Sequence, residues 1–595
     1  MWTREEVRRI NILASIIVGI IVFLIVRLAW MQIVNGPQYK KIAEENRIRQ
    51  ITAQAPRGNI YDRNGALLVS NRPSFAISII PSEYSNARNA TPILAAITGL
   101  QASEIEKMIT GSQDFLYTPI RIKRDVDQMM LARIQEHKEY LPGVMIEAIP
   151  VRQYVYKELA AHVFGFVGSI NETEYEKRKK QGYNPNDFIG KDGLEREWEE
   201  VLRGVDGGLQ IETNALGEEI QILGDKKAVA GKGLVLTLDA NLQKIAQDAL
   251  SAQIIESRKM GEPAKGGAAV VLDVHTGGVL VMASTPAFDP NVFAGGISSL
   301  NWNKLLSDPN RPLANKTIQN AYPPGSVFKI ITTAAALDMG YVTPSEIFDD
   351  KGIYILNGWK FYGWEPKGLG KLNIVDAICW SSDPVFYELG HRMGADNLAS
   401  YALTFGLGQE TGIRLGGEEK GFVPTESWKL DTYGEQWQPG ETIIAAIGQG
   451  YYLVTPLQQA MILMVVANNG LMYRPMLVDK VLTTDGTIFE KYNPEVIHTV
   501  YLKDETWEII KSGLRAVTDK GTAASVFQGV SPKVAGKTGS AETGTGTVHS
   551  WFACYVPADN PEIVVSVLVE DGGEGSVSAA PVVRKIVEGY FSTRK

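Results

Sequence analysis

Tyr322-Pro323-Pro324-Gly325-Ser326-Val327-Phe328-Lys329 is the stretch from which both the fold and the chemistry are read. Two prolines and a glycine make a stiff turn. The apolar run after it predicts a helix over 326–339, stopped by Gly340. Ser326 then lies in the first helical turn, where free N–H groups and the helix dipole favour negative charge. Lys329, three residues on, shares its face. A serine hydroxyl becomes a nucleophile when a neighbouring base takes its proton, and a desolvated neutral lysine is such a base. The plainer reading makes Ser326 an N-cap and Lys329 a solvated helix residue, and a Ser-x-x-Lys pair occurs by chance in a chain this long.

Two downstream stretches separate these readings. Ser381-Ser382-Asp383-Pro384 falls between helical runs at 374–379 and 384–392. As plain structure, Asp383 is an N-cap with Pro384 at the first helical position. As chemistry, Ser381 relays a proton between the lysine and a leaving amine. Lys537-Thr538-Gly539-Ser540 suits a strand whose glycine lets a ligand backbone approach. Such a strand binds an extended peptide by strand addition. Lys537 and Thr538 would hold a carboxylate, and the N–H groups of Ser326 and Ser540 an oxyanion. Each motif alone is weak; three in this order point strongly to acyl transfer through Ser326.

The surrounding pattern predicts a strand over 234–238, a helix over 241–258, and a hairpin of strands 268–274 and 279–284 around His275-Thr276-Gly277-Gly278. Strands return at 550–556 and 563–569, before a last helix over 580–590. A sheet built from both ends of one domain, with helices packed on it, follows.

Near the N-terminus, residues 10–26 carry no charge, and only Asn11 and Ser15 are polar. With Leu28 to Met31 the stretch is long enough to span a bilayer. Arg27 can snorkel, and Trp2 and Trp30 suit the interfacial belts. No small-x-small cleavage site follows Trp30, so an uncleaved anchor is expected. Arg4, Arg8 and Arg9 precede the span, whereas Arg27, Lys40 and Lys41 follow it, so the charge count does not fix orientation. The short basic tail places the N-terminus in the cytoplasm. Residues 1–35 are thus read as tail and anchor, 36–230 as a second region, and 231–595 as the catalytic domain, hinged at Gly231-Lys232-Gly233. The second region mixes strands, as near 75–80, with helices at 104–109 and 128–136. It holds Arg57-Gly58-Asn59-Ile60-Tyr61-Asp62-Arg63-Asn64-Gly65, where Asn64-Gly65 reads as a hairpin turn. It has no nucleophile–base pair and is read as a non-catalytic pedestal. The net charge of −8 argues against a nucleic-acid binder. Two cysteines, Cys379 and Cys554, exclude a disulfide framework and leave one bridge open.

With these motifs in place, the chain resembles the class B penicillin-binding proteins, monofunctional peptidoglycan D,D-transpeptidases. Gly448-Gln449-Gly450-Tyr451 before Thr455-Pro456, and His549-Ser550-Trp551-Phe552, are similar to the cell-elongation branch. The middle motif is Ser-x-Asp where most relatives have Ser-x-Asn. The resemblance implies a multidomain fold: a transmembrane helix, an elongated α+β pedestal (a dimerisation-type domain), and an α/β transpeptidase domain with a five-stranded sheet between helices. It implies Ser326, Lys329, Ser381 and Asp383 as catalytic residues and Lys537, Thr538, Gly539 and Ser540 as the substrate-binding strand. The implied partners are peptidoglycan stem peptides, β-lactams, the inner membrane and a polytopic SEDS-family glycan polymerase, approached through Ser15-x-x-x-Gly19 and the stretch from Arg57 to Gly65. Zinc occurs near the site in some elongation-type relatives. Here Asp350, Asp376 and Cys379 have no histidine among them, so no metal and no cofactor is expected. A β-lactamase reading lacks a Glu-x-x-Leu-Asn stretch, and a bifunctional one lacks Glu-Asp-x-x-Phe. A sensor would carry further spans and a metalloprotease motif.

Overall fold

The computed structural model describes residues 3–36, 48–84, 89–111, 119–185, 187–213 and 219–592. Trp2, Lys40 and Lys41 lie outside the described residues. The chain divides into two compact units, and the division is not sequential. One holds residues 1–56, 73–150 and 204–229; the other holds 57–72, 151–203 and 230–595.

In the first unit a helix runs over Arg4–Ala29 and continues as a π turn over Trp30–Val34. Residues Val7–Val34 are long and apolar enough to cross a membrane, and none of the most apolar window is buried. The same unit has an antiparallel sheet of Ile48–Ala53, Gly207–Thr213 and Glu219–Lys226. Its main apolar core gathers Ile77, Ile79, Leu94, Ile105, Ile122 and Ile134. Helices Ala102–Thr110 and Gln128–Glu136 cover it, the latter capped by Asp127 accepting from Met130 N.

In the second unit helix α1 (Ala240–Lys259) leads into the hairpin β1 (Gly267–Asp273) and β2 (Val279–Thr285). Helices α2 (Lys329–Asp338), α3 (Asp383–Met393), α4 (Pro456–Ala467) and α5 (Asp504–Asp519) follow. The chain then returns as β3 (Ala535–Glu542), β4 (Val548–Val556) and β5 (Ile563–Val569), and ends on α6 (Ala579–Ser592). The sheet order is β2-β1-β5-β4-β3, antiparallel throughout, so β3 is an edge strand. Strand β5 is buried along its whole length, which only a sheet covered on both faces permits. Helices α1 and α6 pack on the sheet, as does α4. Helix α4 is buried at every residue, which accounts for its apolar character all round.

Part of the expected pedestal belongs to this second unit. Arg57 pairs with Glu195 at 2.7 Å and Glu199 at 2.8 Å, and Arg152 meets Glu195 at 2.6 Å. Ile60 and Tyr61 pair in parallel with Leu234 and Val235. A Cβ on Gly58 would lie 1.8 Å from the Lys232 carbonyl oxygen, so only glycine fits there. Asp62 accepts from the backbone N–H groups of Asn64 and Ala66, forming the expected turn, and from Ala240 N at the start of α1. Of the stretch from Arg57 to Gly65, only Arg63, Asn64 and Gly65 are exposed.

Candidate active site

The nucleophile turn is tighter than the sequence suggests. Gly325–Phe328 forms a single 3-10 turn, and α2 begins at Lys329. At three residues per turn, positions i and i+3 eclipse, so Lys329 lies directly below Ser326. Ser326 is half-buried while Lys329 is wholly buried.

Lys329 Nζ donates to Ser381 O at 2.8 Å, to Ser381 Oγ at 3.1 Å and to Asp383 Oδ1 at 2.7 Å. Its hydrogen-bond partners thus all lie in the middle motif. Ser381 reaches it twice because its backbone is left-handed, with φ at +56°, an uncommon state for a residue with a side chain. Lys537 Nζ, from β3, donates to the same Ser381 Oγ at 2.8 Å and to Thr538 O at 3.1 Å. Both lone pairs of the hydroxyl are then occupied, and its own proton is free to be donated.

Burial lowers the pKa of Lys329, against a smaller raising by Asp383. Burial also holds Lys537 well below the ordinary lysine value, and the charge of Lys329 adds to this. Two buried ammonium groups sharing one oxygen disfavour being charged together, so a neutral lysine is accessible at this site.

The middle motif is organised differently from the plain N-cap reading. Ser382, not Asp383, caps α3, accepting from Val385 N. Asp383 is thereby freed for Lys329. Ser382 Oγ also donates to Asp350 Oδ2 at 2.5 Å. Asp350, considered above as a metal ligand, is therefore a support for this turn. Asp376 pairs with Lys520, and Cys379 and Cys554 are buried free thiols. Among the described residues no group of three His, Cys, Asp or Glu side chains is placed to hold a metal ion.

Backbones meet closely around Ser326. Gly325 has φ at +56°, and a Cβ there would lie 3.1 Å from Ser540 O and 3.3 Å from Ser540 N. The amides at Ser326 and Ser540 are accordingly neighbours. Gly325 N donates to Gly448 O at 2.9 Å. Trp551 Nε1 donates to Pro323 O, Gln459 Nε2 to Pro324 O, and Gln449 Nε2 to Ser540 O. These supports come from three separate elements. Gln449 and Trp551 carried a resemblance in the sequence, whereas Gln459, inside an apolar helix, gave no signal. On the strand, Lys537, Thr538 and Gly539 are buried and Ser540 is exposed. The sequence reading aimed Lys537 at a ligand carboxylate; the structure points its ammonium at Ser381.

Comparison with known proteins agrees with this geometry. The family model of the penicillin-binding protein transpeptidase domain matches residues 267–588, and that of the penicillin-binding protein dimerisation domain matches 52–236. The peptidoglycan D,D-transpeptidase MrdA of Haemophilus influenzae is 34% identical over 590 residues, covering 95% of this chain and 88% of that one. The protein of that name in Escherichia coli is 33% identical, covering 95% and 91%. Among solved structures, PBP2 from a complex with MreC of Helicobacter pylori superimposes with a TM-score of 0.76 at 26% identity, covering 92% and 99%. A chain of a peptidoglycan synthase complex gives 0.71 at 31% identity, covering 98% of each. Three motifs converging on one hydroxyl, beside an open strand edge and over a matching domain pair, place the chain in the family of class B penicillin-binding proteins.

Proposed function

We propose that the chain is a peptidoglycan D,D-transpeptidase of cell-wall elongation that works through a Ser326 acyl-enzyme. The observation that carries this is the meeting of Lys329 and Lys537 on Ser381 Oγ, one 3-10 turn below Ser326. A stem peptide ending in D-Ala-D-Ala adds to the free edge of β3. Neutral Lys329 takes the Ser326 proton as Oγ attacks the penultimate D-alanine carbonyl, and the N–H groups of Ser326 and Ser540 receive the oxyanion. Ser381 Oγ passes a proton from the lysine to the departing D-alanine nitrogen, and the C–N bond breaks. An amine of a neighbouring stem peptide then attacks the ester carbonyl and gives up its proton to the same base, which returns it to Ser326 Oγ as the ester C–O bond breaks and the new amide cross-link is released. Lys537 and Thr538 line the end of the strand where the substrate carboxylate sits. From behind Ser381, Lys537 donates to its Oγ. A β-lactam, as a mimic of D-Ala-D-Ala, acylates Ser326 and stays.

In this reading residues 1–35 anchor the enzyme with its N-terminus in the cytoplasm and its catalytic domain outside, and 36–230 contribute no catalytic group. Ser15 and Gly19 lie on an uncovered helix where another membrane helix, that of a SEDS-type polymerase, can come close. A soluble contact at Arg57–Gly65 is limited to the exposed tip from Arg63 to Gly65. The test is a reconstituted reaction with lipid-linked pentapeptide glycan strands. Cross-linked dimers and released D-alanine support the reading. Release of D-alanine with no cross-link assigns a carboxypeptidase instead, and rapid turnover of penicillin a β-lactamase.

A further inference from the structure

A cavity of about 330 Å³ lies at the end of the sheet where β3 turns into β4. Its walls come from that turn, from the ends of β4 and β5, and from the loop that leads into the nucleophile turn. Its two carboxylates are already matched. Glu570 accepts from Tyr322 Oη at 2.7 Å and pairs with Lys316 at 3.3 Å. Asp571 pairs with Lys265 at 2.9 Å and accepts from Thr547 Oγ1 at 2.7 Å. What remains is the exposed Arg311 guanidinium, the imidazole of His549 and one buried acceptor without a partner, Asn320 Oδ1. The Arg311 guanidinium pairs with no carboxylate among the described residues, so the lining carries one more cation than anions. His549 Nδ1 accepts from Asp571 N at 3.1 Å, which assigns its proton to Nε2 and makes that nitrogen a donor. An unpaired guanidinium beside an N–H donor is the chemistry that recognises a carboxylate.

Thr543 and Thr545 of the lining follow directly on β3, the strand beside Ser326. A peptide added antiparallel to β3, with its scissile carbonyl at Ser540 N, runs back toward Glu542 and the following turn. At about 3.3 Å per residue, two or three residues reach from Ser540 to Thr543. We propose that this cavity is a subsite for a carboxylate of the acyl-donor peptide, carried two or three residues before the scissile carbonyl and held by Arg311. The proposal rests on the transpeptidase reading above and adds a determinant of donor choice to it.

The test uses the full-length enzyme in detergent and two synthetic donors ending in D-Ala-D-Ala. One carries free carboxylates at those two positions, the other primary amides. The parent should acylate with the carboxylate donor at about tenfold higher kcat/KM. Arg311→Ala should erase that preference, Arg311→Lys should restore part of it, and the amide donor and penicillin labelling of Ser326 should be unchanged in rate. Equal use of both donors by the parent, or a preference that survives Arg311→Ala, overturns the subsite. Penicillin labelling at the parent rate shows that Arg311→Ala is folded, and Arg311→Gln is the second variant should it not be. Failure of penicillin to label the parent would instead strike at the transpeptidase reading.

Discussion

Ser381 Oγ is where two buried lysines meet, and its neighbours set which of them is neutral. Asp383 raises the pKa of Lys329, and burial lowers it by more. A base must be neutral to accept a proton, so acylation falls as the pH drops through this depressed value. Asp383→Asn removes the opposing charge and keeps an acceptor oxygen, so the acid limb of the rate profile should move to lower pH. Stopped-flow acylation across pH checks this; a limb that stays in place or moves up contradicts it. Lys537→Ala deletes a buried hydrogen bond and leaves Ser381 Oγ one donor short, at about 1–3 kcal/mol, so acylation should slow by roughly five- to a hundredfold. The residue types of this site were legible in the sequence because each motif is local. The partners were not. The resemblance implied Asp383 as a catalytic residue, but from the local sequence alone Asp383 and Ser382 are equally good caps. Only the fold shows that Ser382 caps α3 while Asp383 faces Lys329.

The elements that hold the nucleophile turn meet through backbone contacts. Gly448 has φ at +75°, and a Cβ there would lie 2.3 Å from Gly325 O. Gly448→Ala must displace the turn, and a displacement near 1 Å costs about a hundredfold in rate. Acylation should fall by that order while circular dichroism stays that of the parent; an unchanged rate would show that the turn is not held there. Hairpins and helices with clear periodicity were readable in advance. The β1–β2 hairpin and the helix Gln128–Glu136 form as expected, because turn glycines and apolar spacing act over a few residues. The 3-10 turn at Ser326 was not readable, since Gly448, Gln459 and Trp551 all reach it from far along the chain.

At the scale of the molecule, composition gave no sign that residues 57–72 and 151–203 belong with the C-terminal unit. That grouping depends on buried pairs between residues far apart in sequence. Arg57 is matched to Glu195 and Glu199, both nearly free of solvent. Arg57→Ala leaves Glu199 buried without its cation, while Glu195 keeps only Arg152, at a cost of about 3–5 kcal/mol. Denaturant unfolding of the second unit should shift accordingly, although Arg57 touches no residue of the candidate active site. A shift below about 0.5 kcal/mol would mean that these pairs do not hold the unit together.

The measurement that bears most directly on the account is mass mapping of the full-length protein after labelling with fluorescent penicillin. One adduct, on Ser326, is expected, with Ser326→Ala unlabelled and its thermal unfolding nearly that of the parent. An adduct on any other residue, or stoichiometric labelling of Ser326→Ala, would contradict it.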